Sequence, residues 1–268
     1  MSSQLYKNCR ILTIELWNFV KEFMPVAKST GRPGIPAYIV LDAILWIADN
    51  GAKWRSLPYE EYGNWNSFYK LFRAWVDKGI FKAIFEKSVQ MQKKSTTLSI
   101  DSTSCKVHQD GTGARKDAKG YETKQDIGIS RGGRNTKIHA IVNESVCVVS
   151  FLLTPGNIHD SKPSIELALQ IDLKDIIMLA DKAYNTQLFR NVLQNLGVVL
   201  NSPDKVNALH KHLFSFEAYK KRNVVERFFQ RIKKFRKIAT RYEKLSVCFL
   251  AFVMLCAAVV NVIHTITQ

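Results

Sequence analysis

The stretch TTLSIDSTSCKV, residues 96–107, decides the fold. It is rich in β-branched residues and reads as a strand. Asp101 follows Ile100 directly, where a carboxylate interrupts a buried run and is costly unless something satisfies it. DIIMLADKAY, residues 175–184, repeats the arrangement, a short buried strand that ends by delivering Asp181. Between the two, TKIHAIVNESVCVVSFLLT (136–154) reads as a strand pair joined by a turn at Asn143 and Glu144. TQLFRNVLQNLG (186–197) then reads as a helix and VVLNS (198–202) as a further strand. Strands first and helices interleaved later predict α/β layers around a mixed sheet. In such sheets sites are built at strand ends. One aspartate after a strand is more often a turn or helix cap, but two in the same context favour a site.

Upstream the periodicity is helical. SQLYKNCRILTIELWNFVKEFM (3–24), IPAYIVLDAILWIADNGAKW (35–54) and NWNSFYKLFRAWVDKG (64–79) carry apolar residues at helical intervals, the last between cap-type asparagines and Gly79. RSLPYEEYG (55–63) supplies a turn, so residues 1–95 are expected to form a helix-turn-helix-like bundle and residues 96–268 the α/β unit. Lys70 and Arg73 on the last helix could meet an anionic partner or simply lie on a solvated face.

Downstream, YKKRNVVERFFQRIKKFRKIATRYEK (219–244) reads as a basic helix that also holds Glu226. At about 100° per residue, Tyr219, Arg222, Glu226 and Lys233 fall on one face. Val225, Phe228, Phe229, Ile232 and Phe235 form a neighbouring apolar face, while Lys220, Arg227, Arg231 and Lys234 cover the far side. Glu226 thus lies beside the buried stripe. A local Arg222–Glu226 salt bridge is the plain alternative.

The 268-residue chain carries a formal charge of +16, an excess that points first to nucleic acid as partner. Its five cysteines, Cys9, Cys105, Cys147, Cys248 and Cys256, show no zinc spacing and read as reduced thiols. No secretory leader is evident. The uncharged run Leu245–Ile263 is long enough to cross a bilayer or to be a helix buried on all sides, and the buried reading fits the rest of the chain better. Asp101, Asp181 and Glu226 converging in a basic protein suggest a magnesium site that shares its coordination with substrate phosphates.

These residues resemble the DDE insertion-sequence transposases, in the IS-five branch of the IS-four-like group. The resemblance rests on SIDST around Asp101, LADKAYNT around Asp181, and the Tyr219, Arg222, Glu226, Lys233 spacing. ISRGGRNTKIHAIV, LLTPGNIHDS and residues 51–75 extend it over most of the chain. The resemblance implies an RNase H-like mixed sheet flanked by helices, preceded by an all-α, helix-turn-helix-like domain. It further implies that Asp101, Asp181 and Glu226 bind two Mg²⁺ ions, with Mn²⁺ as a substitute, and that Tyr219, Arg222 and Lys233 support the site or grip the element's end. Lys182, Arg131, Arg134 and Lys137 join Lys70 and Arg73 as further candidates for DNA contact or site support. The implied activity is binding of terminal inverted repeats followed by strand cleavage and strand transfer on double-stranded DNA by a cytoplasmic, nucleoid-associated bacterial homodimer. Neither a membrane nor a nucleotide cofactor is expected. The short interval from Asp181 to Glu226 favours a core without an inserted β-domain. A DNA-binding regulator without catalysis and a stand-alone metal nuclease are the rival readings.

Other motifs read more blandly. His159-Asp160 looks like a loop anchor, because no partnered nucleophile is evident. SRGGRNTK lacks the spacing of a phosphate loop. His108, His210 and His212 read as loop residues without metal. The Gly, Lys and Arg of residues 111–128 suit a DNA-contacting loop or a solvated one, and residues 202–214 give no clear element.

Overall fold

A computed structural model describes residues 11–26, 34–114, 125–208 and 211–266. Cys9, His210 and residues 115–124 of the glycine- and lysine-containing loop lie outside the described residues.

The helical region opens with α1 (Ile14–Val20), where the Thr13 side chain accepts from the Leu16 amide and caps the first turn. A further helical turn, Lys21–Phe23, follows it directly, and residues 3–10 of the apolar stretch lie outside the described residues. α2 (Ala37–Asn50) ends at Gly51, whose φ of 62° is the left-handed conformation that closes a helix at little cost. After the short α3 (Tyr59–Tyr62), α4 (Trp65–Asp77) is capped by Asn64. Gly79, again left-handed, turns the chain into α5 (Ile80–Gln90). Asp42 is fully buried inside this bundle. Its carboxylate accepts from the Ile11 and Leu12 amides at 2.8 and 2.7 Å and from the Tyr62 hydroxyl at 2.6 Å, which offsets the cost of burying it.

The sheet is built from β1 (Thr97–Val107), β2 (Gly128–Ser130), β3 (Gly133–Asn143), β4 (Val148–Pro155), β5 (Ile177–Ala180) and β6 (Val199–Asn201). Its spine runs β4–β3–β1–β5–β6, with β2 continuing the edge of β3. β1 pairs antiparallel with β3 and parallel with β5, and β5 pairs parallel with β6, so the sheet is mixed as expected. α6 (Ser164–Ala168) and α7 (Gln187–Asn195) cover one face through Leu167, Phe189 and Leu193, which pack with Leu98, Ile100 and Met178. The opposite face carries Cys105, Ile138, Ala140 and Val142, which share one continuous core with the helical region and the C-terminal helices.

The basic segment 219–244 differs from the single helix its periodicity suggests. It divides into the end of α8 (Phe216–Lys220), α9 (Asn223–Ile232), α10 (Arg236–Ala239) and a short strand β7 (Thr240–Arg241). The last break has a tertiary cause, since β7 adds to the end of β1 in the register Lys106–Thr240 and Val107–Arg241. Strand pairing here overrides helix propensity. Arg241 is fully buried and donates to the Thr136 hydroxyl at 2.6 Å and the Glu243 carbonyl at 2.9 Å.

The apolar run from Leu245 forms α11 (Ser246–Ile266), a helix long and apolar enough to cross a membrane by length and composition, and most of it is buried inside the fold. The Asn261 carboxamide pairs with both the amide and the carbonyl of Val148, at 3.0 and 2.9 Å, and so pins this helix to the start of β4. Cys105, Cys147, Cys248 and Cys256 are free and buried. Burial pushes the first three thiols up to about 11, which keeps them protonated and unreactive.

Candidate active site

The parallel register of β1 on β5 aligns Ile100 with Ala180, so the next residue on each strand is an aspartate. Asp101 and Asp181 are thereby delivered side by side at the edge where β5 ends. α9 crosses the Asp101 face of β1, held there by Val225 and Phe228 in the shared core. Just before its first turn, Arg222 reaches the sheet. One guanidinium nitrogen donates to Asp101 Oδ2 at 2.6 Å and the other to Glu226 Oε1, also at 2.6 Å. The plain i,i+4 salt bridge is therefore present, and the same arginine extends it to Asp101.

Burial pushes the Asp101 carboxyl up, against hydrogen bonds from the Ser102 amide and Arg222, while the Asp181 charge adds to the rise. For Arg222 burial works against the cation, but Asp101, Tyr219 and Glu226 outweigh it and its pKa rises. The Asp101 and Asp181 carboxylates each accept from the amide of the following residue, Ser102 at 2.8 Å and Lys182 at 2.7 Å. The two acids share this amide contact, and the other oxygen of Asp101 accepts from Arg222.

The remaining sequence-derived candidates take different places. The Tyr219 ring lies under Arg222, 5.5 Å from centroid to guanidinium carbon, which steadies the fork. Lys233 lies beyond the end of α9 and donates to the Thr103 hydroxyl at 2.6 Å and the Ser104 carbonyl at 3.0 Å, two and three residues along β1 from Asp101. Lys182 is exposed beside Asp181. Arg131 and Arg134 are exposed at the β2–β3 turn, and Lys70 is exposed on α4. Arg73 is half-buried on α4, and burial pulls its pKa down less than the neighbouring Cys248, Tyr69 and Asp77 raise it.

Lys137 is tied up within the site's surroundings. It donates to Asp160 Oδ1 and to the Ile158 carbonyl, both at 2.8 Å. Asp160 also accepts from the Ser102 hydroxyl at 2.9 Å. The His-Asp turn is thus more than a loop anchor, because it fastens the residue next to Asp101. Tyr184, buried at 1% exposure, has its phenol pushed up by burial and by Asp101 and Asp160. Ser102 stood in the SIDST motif, Tyr184 in LADKAYNT and Asp160 in LLTPGNIHDS, but neither Ser102 nor Tyr184 was singled out for a role. His139 is buried against Thr154 at 2.8 Å, and burial lowers its pKa to about 4. His108 caps a short turn, and His212 is held by Asp204 at 2.9 Å.

Residues 92–261 match the family described as "Transposase DDE domain", and residues 12–85 match "Putative transposase of IS4/5 family". "Uncharacterized protein y4sN" of Sinorhizobium fredii is 28% identical over 129 residues, 47% of this chain and 99% of that protein. "Putative transposase for insertion sequence element IS6501" of Brucella ovis is 30% identical over 128 residues, 47% of this chain and 96% of that protein. Among solved structures, a piggyBac transposase synaptic complex with hairpin DNA superposes with a TM-score of 0.55 at 10% identity, over 93% of this chain and 70% of that one. That likeness concerns the fold, a mixed sheet of the RNase H-like kind between helices. The chain belongs to the DDE transposase family, in its IS4/5 group.

Proposed function

We propose that this transposase binds the terminal inverted repeats of an insertion sequence and catalyses metal-dependent strand cleavage and strand transfer, with Asp101, Asp181 and Glu226 as its catalytic acids. The observation that carries the reading is the paired delivery of Asp101 and Asp181 by neighbouring parallel strands, with Glu226 drawn toward Asp101 by Arg222. The division at residue 95 belongs to the same proposal, with the helical region reading the repeats. So do a homodimer that holds two ends together and action in the cytoplasm on nucleoid DNA. Hydrolysis at the element's end frees a 3′-hydroxyl, which attacks a target phosphate. One phosphodiester bond replaces another, so no nucleotide cofactor is required.

The donor set suits Mg²⁺, which takes hard carboxylate oxygens. Among the described residues no three acidic, histidine or cysteine side chains already converge closely enough to hold an ion. Arg222 accounts for this at one edge, since its guanidinium takes the position between Asp101 and Glu226. The residues therefore fit the metal once Arg222 turns away, and a DNA phosphate is a natural alternative partner for its fork. A bound Mg²⁺ pair supplies activation of the attacking oxygen and stabilisation of the leaving one. Asp101, Asp181 and Glu226 would hold it, Ser102 and Lys182 amides orient two of those acids, and Tyr219 steadies Arg222. Arg222→Ala is expected to bind Mn²⁺ about tenfold more tightly than the native protein without DNA, by isothermal titration calorimetry, about 1.4 kcal/mol. Unchanged affinity would mean that Arg222 does not compete with metal.

The direct test offers the native protein a labelled duplex carrying the source element's ends, with Mg²⁺ or with EDTA. Cleavage and joining are expected with Mg²⁺ and neither with EDTA. Cleavage without joining would indicate a stand-alone nuclease. Binding that never leads to cutting with any divalent metal would indicate a DNA-binding regulator.

A further inference from the structure

Two of the four cations assigned by periodicity to the far side of the basic helix, Lys220 and Arg227, line a groove beside the acids. A cavity of about 480 Å³ opens between the start of β1 and the junction of α8 with α9, and Lys220, Lys221, Asn223 and Arg227 form its wall. Ser99 is on its floor, 1% exposed. Side chains two apart on a strand share a face, so Ser99 lies on the Asp101 face, about 7 Å along β1. Lys221 immediately precedes Arg222, and Arg227 immediately follows Glu226, so the groove abuts the acid cluster.

Two features mark the groove as suited to a ligand. Lys220, Lys221 and Arg227 form no ion pair among the described residues, unlike Lys137, Lys237 and Arg222. The Ser99 hydroxyl meets no hydrogen-bond partner among the described residues, although the residue is almost wholly enclosed. That hydroxyl borders the cavity lined by those cations. Glu144 is the acid on the rim, exposed in the β3–β4 turn. Three cations, an amide and an unpaired hydroxyl make a site for an oxyanion with several acceptor oxygens.

We propose that this groove holds the phosphate backbone of the DNA strand entering the active site, on the side of the start of β1. The inference rests on the transposase reading and adds a direction to it. The strand runs from the acids past Arg222 and along Lys220, Lys221 and Arg227, with Ser99 donating to a phosphate oxygen.

The test is fluorescence anisotropy of a labelled duplex of arbitrary sequence, titrated at several salt concentrations. Counterion release makes each phosphate contact visible as about 0.9 in the slope of log affinity against log salt. The triple variant Lys220→Ala, Lys221→Ala, Arg227→Ala is expected to bind about tenfold or more weakly at about 0.1 M salt, with a slope shallower by about 2 to 3. Lys174→Ala, Lys205→Ala, Lys211→Ala removes the same charge from exposed positions that do not line the groove and is expected to change the slope by less than one contact, under about 0.9. Ser99→Ala should weaken binding several-fold with an unchanged slope. If the groove variant loses no more than the control triple, the cations act only as bulk charge and the groove is not the path. If the native protein binds no duplex at all, the transposase reading fails along with it, and the two failures are distinguishable. The substituted cations are all exposed, so circular dichroism separates a binding loss from unfolding.

Discussion

Glu226→Gln is expected to bind element-end DNA with native affinity and to lose Mg²⁺-dependent cleavage and strand transfer by about a thousandfold or more. A metal ion supplies several kcal/mol of charge stabilisation at a phosphoryl centre, and about 4 kcal/mol corresponds to three powers of ten in rate. Glutamine keeps the size and one carbonyl oxygen but not the charge that holds a divalent ion. Stability should hardly move. The Glu226 side chain is 53% exposed, and an ion pair this open to water contributes about 1 kcal/mol at most. Arg222 also keeps its second carboxylate, Asp101, after the substitution. Gel assays on labelled ends, with thermal melting of the same preparations, separate the outcomes. A variant that melts like the native protein and still cuts would reduce Glu226 to the partner of a helix salt bridge.

The legible part of this fold was local. Residues 96–107 and 175–184 announce strands because β-branched and apolar runs must be buried, and an aspartate closing such a run stands out. Asn64 and Thr186 announce helix starts because their side chains cap the first turn. What the sequence does not carry is register. That Asp101 and Asp181 become neighbours depends on Ile100 aligning with Ala180, and a shift by one residue would turn one acid to the opposite face. The Arg222–Asp101 bond joins residues 121 positions apart, so the spacing on the helix could show Arg222 near Glu226 but not what the arginine touches next. Periodicity also misjudged the cations. By periodicity Lys220 and Arg227 share a face away from the apolar stripe, but in the structure they lie on α8 and α9, and both border a groove beside the start of β1. The helix beyond Lys233 was over-read for the same reason, since pairing of Thr240 and Arg241 with β1 is a tertiary event.

The second large effect concerns the other acid of the basic segment, Glu243, and it falls on stability. Lys237 is 2% exposed and its ammonium lies 2.9 Å from Glu243 Oε1, while the glutamate side chain is only 8% exposed. The same ammonium donates to the Ala52 carbonyl at 3.2 Å and lies over the Tyr242 and Phe252 rings, so it is fixed where helical region and sheet meet. Arg241 is next to it, its pKa lowered to about 10 by burial, with the Glu243 charge opposing that shift. Glu243→Gln therefore leaves two enclosed cations without their nearest full counter-charge. Breaking a buried pair from one side costs about 3–5 kcal/mol, because the remaining charge cannot return to water. Urea unfolding should show the midpoint falling at constant slope, a change in stability without a change in the surface exposed on unfolding. Removing both partners, by Lys237→Met with Glu243→Gln, should recover much of that loss, since the desolvation cost of Lys237 is removed with its charge. A Glu243→Gln protein as stable as the native one would mean that water reaches Lys237 and that the seam between helices and sheet is open. Two acids seventeen residues apart in one basic segment are thus expected to give opposite readouts, Glu226 by lost chemistry in an intact fold and Glu243 by a weakened fold around an unaltered site.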